Sequence, residues 1–105
     1  MNQTDEALGR AFDQAMQGIF ERAKDACDYR PVRFLQMVQE RGGLETAKRL
    51  LAQNDVQNGL VTLWDCGRLD LSMEALVLDL RFQPLFTEDE IAPARALLEA
   101  FDYSG

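Results

Sequence analysis

The sequence predicts an all-α protein, a compact bundle of about six helices led by a long N-terminal helix. Three observations carry that reading. Apolar residues recur at helical spacing from Leu8 to Phe101. Start and stop signals separate these runs at short intervals, so the connections are short. The segment Gly59-Leu60-Val61-Thr62-Leu63-Trp64 also reads as a strand after Asn58-Gly59, but no partner strand of matching pattern follows it.

Thr4 can cap the first helix, with Asp5 and Glu6 set against the positive end of its dipole. Leu8, Phe12, Ala15, Met16, Ile19, Ala23 and Ala26 form one stripe, which predicts a helix to about Asp28. Gly18 costs that helix about 1 kcal/mol, which its length tolerates. Pro31 pushes Arg30 out of helical geometry and suits the first turn of a second helix. That helix carries Phe34, Leu35, Met37 and Val38 and stops at Gly42-Gly43. A third covers residues 44–53, with Leu44, Ala47, Leu50 and Leu51 inward. Asn54-Asp55 breaks it, and Asp55 can cap the next.

The fourth helix, over residues 56–66, sets Val56, Leu60, Leu63 and Trp64 on one side and ends at Gly67. Ser72 can cap a fifth, with Glu74 in its first turn. Ala75, Leu76, Val77, Leu78 and Leu80 are apolar almost all round and mark the most buried element, ending before Gln83-Pro84. The last helix opens on Thr87-Glu88-Asp89-Glu90, a capping box, with Phe86 and Ile91 spaced for a hydrophobic staple. Pro93 removes one backbone bond and predicts a short opening turn and a kink.

A chain of 105 residues buries enough surface to need no metal or disulfide staple. Its 47% hydrophobic and 28% charged residues are those of a globular protein rather than a disordered one. No stretch approaches the roughly 18–20 apolar residues that span a bilayer, and the N-terminus lacks the pattern of a signal peptide. The reading is one helical domain over residues 1–105, with no membrane contact and a cytoplasmic location. Cys27 and Cys66 read as reduced thiols used as small core hydrophobes, with a disulfide between them as the alternative.

The net charge of −7 is unevenly placed: −2 over residues 1–30, +2 over 31–53 and −7 over 54–105. An acidic chain repels nucleic acid at long range. The basic island of Arg33, Arg41, Lys48 and Arg49 is the local exception.

Histidine is absent, which removes the commonest general base and the most frequent transition-metal ligand. The two cysteines lack zinc-site spacing. Neither a Gly-x-x-x-x-Gly-Lys loop nor a Gly-x-Gly-x-x-Gly turn occurs. Gly42-Gly43 reads as a helix stop rather than a phosphate loop. Asp70 with Glu74, and Glu88-Asp89-Glu90, lie where helix N-termini favour negative charge, so capping accounts for them. No catalytic residue, metal or cofactor is expected, and the chain reads as non-enzymatic. Residues 44–53 and 56–66 have helix-turn-helix lengths. The second of these carries Gln57, Asn58 and Thr62 but no lysine or arginine, and direct DNA contact is not expected.

A wider pattern runs from Tyr29 through Arg33-Phe34-Leu35-Gln36-Met37, Gly42-Gly43 with Thr46-Ala47, and Leu50-Leu51. It continues through Gly67-Arg68-Leu69-Asp70-Leu71-Ser72, Glu74-Ala75-Leu76-Val77-Leu78 and Pro84-Leu85-Phe86-Thr87. On these residues the chain resembles a family of small, largely uncharacterised bacterial all-helical domains. The resemblance implies a shared helical fold and no particular reaction.

Within that pattern, Arg68 and Asp70 read as a structural ion pair or cap, and presentation to a partner is the alternative. Trp64 reads as core, and becomes a contact anchor if half-exposed. The function expected is a protein–protein interaction or regulatory module. Its protein partner would meet the basic island or the acidic C-terminal half, and the first helix would form any homodimer seam. A nucleic-acid-associated accessory domain using the island is the second reading. The candidate interaction residues are therefore Arg33, Arg41, Lys48, Arg49, Trp64, Arg68 and Asp70.

Overall fold

The long apolar stripe of the first helix becomes the spine of the fold. The computed structural model describes residues 3–53 and 58–103. Among them lie six α-helices: α1 (Gln3–Cys27), α2 (Val32–Arg41), α3 (Gly43–Ala52), α4 (Asn58–Asp65), α5 (Met73–Val77) and α6 (Glu88–Ala100). Two 3-10 segments, Leu69–Leu71 and Leu80–Leu85, flank α5, and no strand occurs among the described residues. The expected all-α bundle is the observed one. At about 1.5 Å per residue, α1 is about 37 Å long, and it sets the 40 Å long axis of the molecule.

Phe12, Met16 and Ile19 on α1 meet Val38 of α2, Ala47 and Leu51 of α3, Val77 of α5 and Ala94 of α6. Phe12 stands edge-on to Phe82 and Phe86, at 5.1 and 5.4 Å between ring centroids. Aromatic quadrupoles favour that arrangement. One turn beyond Ile19, Ala23 packs with Leu63 and Leu71. Leu60, Leu69 and Leu98 form a third cluster, so α4 joins two parts of the core through its two buried leucines. The α1 stripe from Phe12 to Ala23 is thus packed against the chain's own helices, while Ala26 near its end is exposed. Helix α1 starts at Gln3, one residue ahead of the expected cap at Thr4, whose side chain lies outside the described residues.

Asp28 ends α1 in the left-handed region at φ 53°, its N–H donating to the Lys24 carbonyl at 3.0 Å. Short polar residues tolerate that conformation. Here the thiol reading is corrected: Cys27 and Cys66 form a disulfide, with their Cα atoms 5.9 Å apart. The packing of Ala23 against Leu63 brings the ends of α1 and α4 together. Neither helix's own periodicity says which termini will meet.

Between α2 and α3 the chain turns at Gly42, and the Gly43 N–H donates to Asp13 Oδ1 at 2.6 Å. A Cβ on Gly43 would lie 2.8 Å from the Asp13 Cα, so the absence of a side chain is what allows α1 and α3 to approach. The carboxylate of Asp13 fills the N-terminus of α3, where an outside anion would otherwise sit. Gly42-Gly43 is a helix stop and joint.

The expected break at Asn54-Asp55, with its cap at Asp55 and the inward Val56, lies outside the described residues. Helix α4 occupies the segment that could have been a hairpin strand. It closes on Gly67 at φ 77°, whose N–H reaches the Trp64 carbonyl at 3.0 Å, while the Arg68 N–H reaches the Leu63 carbonyl at 2.8 Å. This pair of bonds defines a Schellman end, which asks for glycine.

Ser72 caps α5 as expected, its Oγ accepting from the Ala75 N–H at 3.1 Å. The helix is nevertheless only five residues long. The Asp79 side chain accepts from the Arg81 N–H at 2.9 Å and opens the second 3-10 segment. A side chain that captures a nearby backbone N–H competes with helix continuation. The change of winding sends Phe82 fully inward and leaves Leu80, expected to be buried, 79% exposed.

Thr87 and Glu90 form both bonds of the capping box, at 2.8 and 3.2 Å. Phe86 and Ile91 both pack into the main core. Helix α6 runs through Pro93 without a separate opening turn. Pro93 withholds a donor from the Asp89 carbonyl, and Asp89 is exposed, so water can serve that oxygen.

Candidate interaction surface and cleft

The basic island is spread over α2 and α3, and of its four cations Arg41 and Lys48 line one open cleft. Arg33 and Arg41 lie near opposite ends of α2, about 12 Å apart along its axis. Lys48 pairs with Glu90 at 3.2 Å, and Arg49 with Glu45 at 3.0 Å. The Thr87 N–H, and behind it Lys48, hold the Glu90 carboxyl below the usual glutamate range. Two of the four charges are therefore already matched by carboxylates of the chain itself.

Arg68 and Asp70 form the expected ion pair, as a two-bond fork at 3.0 Å for each bond. Both are exposed, and the bond from Arg68 holds the Asp70 carboxyl below its ordinary value. Asp70 lies in the first 3-10 segment and does not cap α5. Asp70 is exposed whereas Glu74 is buried.

Trp64 corrects the core reading: it is 49% exposed. Leu60 and Leu63 set the inward direction of α4, and at about 100° per residue Trp64 falls on its flank, toward Val61. Its ring rests against Phe101 at 5.5 Å, tilted by 56°. Val61 is also exposed. Exposed Asp65 and Asp102 follow Trp64 and Phe101 in the chain. The result is a small apolar surface with an acidic edge.

On its other side, α4 walls a cleft of about 590 Å³. Ile19, Phe34, Met37, Leu60, Leu63 and Met73 supply apolar walls. The lining also holds buried Ser72 and Glu74, half-buried Tyr29, and exposed Arg30 and Arg33. Burial pushes the Tyr29 hydroxyl up. That hydroxyl sits over Gly59, where a Cβ would come within 2.7 Å of it, so Gly59 makes room for the tyrosine.

Glu74 is the second residue of α5 and is 5% exposed. Burial raises its carboxyl, against the opposing pull of its own backbone N–H. It forms no ion pair among the described residues. The sequence marks Glu74 as a capping charge. The overlooked signal is an acid at the head of a run apolar on every side, which has no outer face to occupy.

Comparison with family models, with curated proteins and with solved structures gives no match for this chain. Among the described residues, no helix is long and apolar enough to cross a membrane.

Proposed function

We propose that the chain is a non-enzymatic protein–protein interaction module that meets its partner through the Trp64 face of α4. The observation that carries this reading is Trp64 itself, half-exposed on a helix beside Val61 and the ring of Phe101. Tryptophan is enriched among the residues that dominate binding energy. Asp65 and Asp102 at its edge, within a C-terminal half of charge −7, suit a partner whose apolar pocket is rimmed by lysine or arginine. A homodimer, through the first helix or through this face, belongs to the same proposal. Membership of the family of small bacterial all-helical domains belongs to the same proposal. The Cys27–Cys66 bond favours an oxidising compartment over the cytoplasmic location that the sequence suggests.

Affinity capture from source-cell lysate tests the reading, with wild type and Trp64→Ala each split into nuclease-treated and untreated halves. The expected result is one protein recovered by wild type from both halves. Its affinity for Trp64→Ala is expected to fall by about 2 kcal/mol or more. Recovery that survives Trp64→Ala but collapses with nuclease would overturn it in favour of a nucleic-acid-associated domain using Arg33, Arg41, Lys48 and Arg49.

A further inference from the structure

We propose that the cleft lined by α1 to α5 is a binding site for a small apolar molecule carrying a protonated amine, with Glu74 as its counter-charge. This goes beyond the interaction surface and rests on different residues. The cleft lies within the range of about 300–1,000 Å³ that small-molecule sites occupy, at about 590 Å³. Its walls are aliphatic and aromatic, so they favour an apolar body. Glu74 is nineteen-twentieths buried in the same lining and has no ion-pair partner among the described residues. A carboxylate taken out of water without a cation is costly, and a ligand cation removes that cost.

The other ionisable groups lining the cleft are Tyr29, Arg30 and Arg33. Tyr29 is a neutral hydroxyl, with its proton held more firmly by burial, and can accept a second hydrogen bond from the amine. Arg30 pairs with Asp28 at 2.8 Å, and its side chain is 58% exposed. Arg33 is exposed as well. Water screens both guanidinium groups from the buried end of the cleft, which leaves Glu74 to set the sign of the charge it takes.

The test compares hexylamine, hexanol and hexanoate binding to the whole chain, followed by the methyl resonances of Met37 and Met73. At about pH 7.5 hexylamine is expected to bind about tenfold more tightly than either of the others, a difference of about 1.4 kcal/mol. In Glu74→Gln the preference over hexanol disappears while hexanol still binds. In wild type the preference is present above the raised value of the Glu74 carboxyl and is lost as pH falls through it. The pH series carries the test alone if Glu74→Gln does not fold. Equal binding of the three probes, an amine preference that survives in Glu74→Gln or below the raised value of the Glu74 carboxyl, or no saturable binding would overturn the proposal.

Discussion

Ser72 and Thr46 are both buried hydroxyl residues, and the core treats them differently. Ser72 donates to the Leu69 carbonyl at 2.7 Å and accepts from the Ala75 N–H, so its burial is compensated. Thr46 Oγ1 is fully buried and finds no partner among the described residues. An unsatisfied hydroxyl costs about 1–3 kcal/mol. Thr46→Val keeps the branched shape and removes the orphan, so it is expected to stabilise the chain by about 1 kcal/mol, read as a rise in the urea midpoint with unchanged slope. A lower midpoint would mean that the hydroxyl is bonded in solution. Ser72 was legible from the sequence because a cap is a local device. Thr46 was not, because whether a hydroxyl is satisfied depends on the rotamer and on which neighbours close over it.

At the scale of elements, the joint between α1 and α3 is the most demanding contact in the fold. Gly43→Ala would place a methyl group 2.8 Å from the backbone of Asp13, and backbone cannot swing aside as a side chain can. The expected cost is about 1–3 kcal/mol. Gly9, also helical, has nothing within 4 Å of its missing Cβ. Gly9→Ala is therefore expected to stabilise α1 by about 0.5–1 kcal/mol. Thermal unfolding of the two variants side by side checks the contrast, and the same direction of change in both would exclude the close approach as the reason for Gly43. The capping box at Thr87 and the stop at Gly67 were readable because each is written within five or six consecutive residues. The early end of α5 was not, since it depends on Asp79 capturing a backbone N–H that a longer helix would have used. Trp64 failed for a related reason. An eight-residue helix has too few turns for periodicity to separate its inward face from its flank.

Across the whole molecule, a radius of gyration of 13.0 Å matches a compact chain of this length. The 39-residue separation of Cys27 and Cys66 adds a constraint on the unfolded chain. Loop entropy for that separation gives about 4 kcal/mol. Adding a phosphine reductant, or making Cys27→Ala with Cys66→Ala, is expected to lower the unfolding free energy by about 3–4 kcal/mol. An unchanged urea midpoint under reductant would show that the pair is not bonded in the folded protein. Sequence reading placed both cysteines at helix ends, yet their meeting is a product of the tertiary arrangement alone. The same absence of local signal hid the cleft, whose walls come from five helices spread along the chain. The bond also decides how the chain comes apart. It closes residues 27–66 into a ring, and Arg33, Arg41, Lys48 and Arg49 all fall inside it. A trypsin-like protease cutting at any one of them nicks the ring without releasing a fragment, and the nicked molecule falls into two pieces only on reduction. A cut at Arg22, Lys24, Arg68, Arg81 or Arg95 lies outside the ring and leaves two pieces with no covalent link between them. The basic middle of the chain is thus the part that a single cleavage cannot remove.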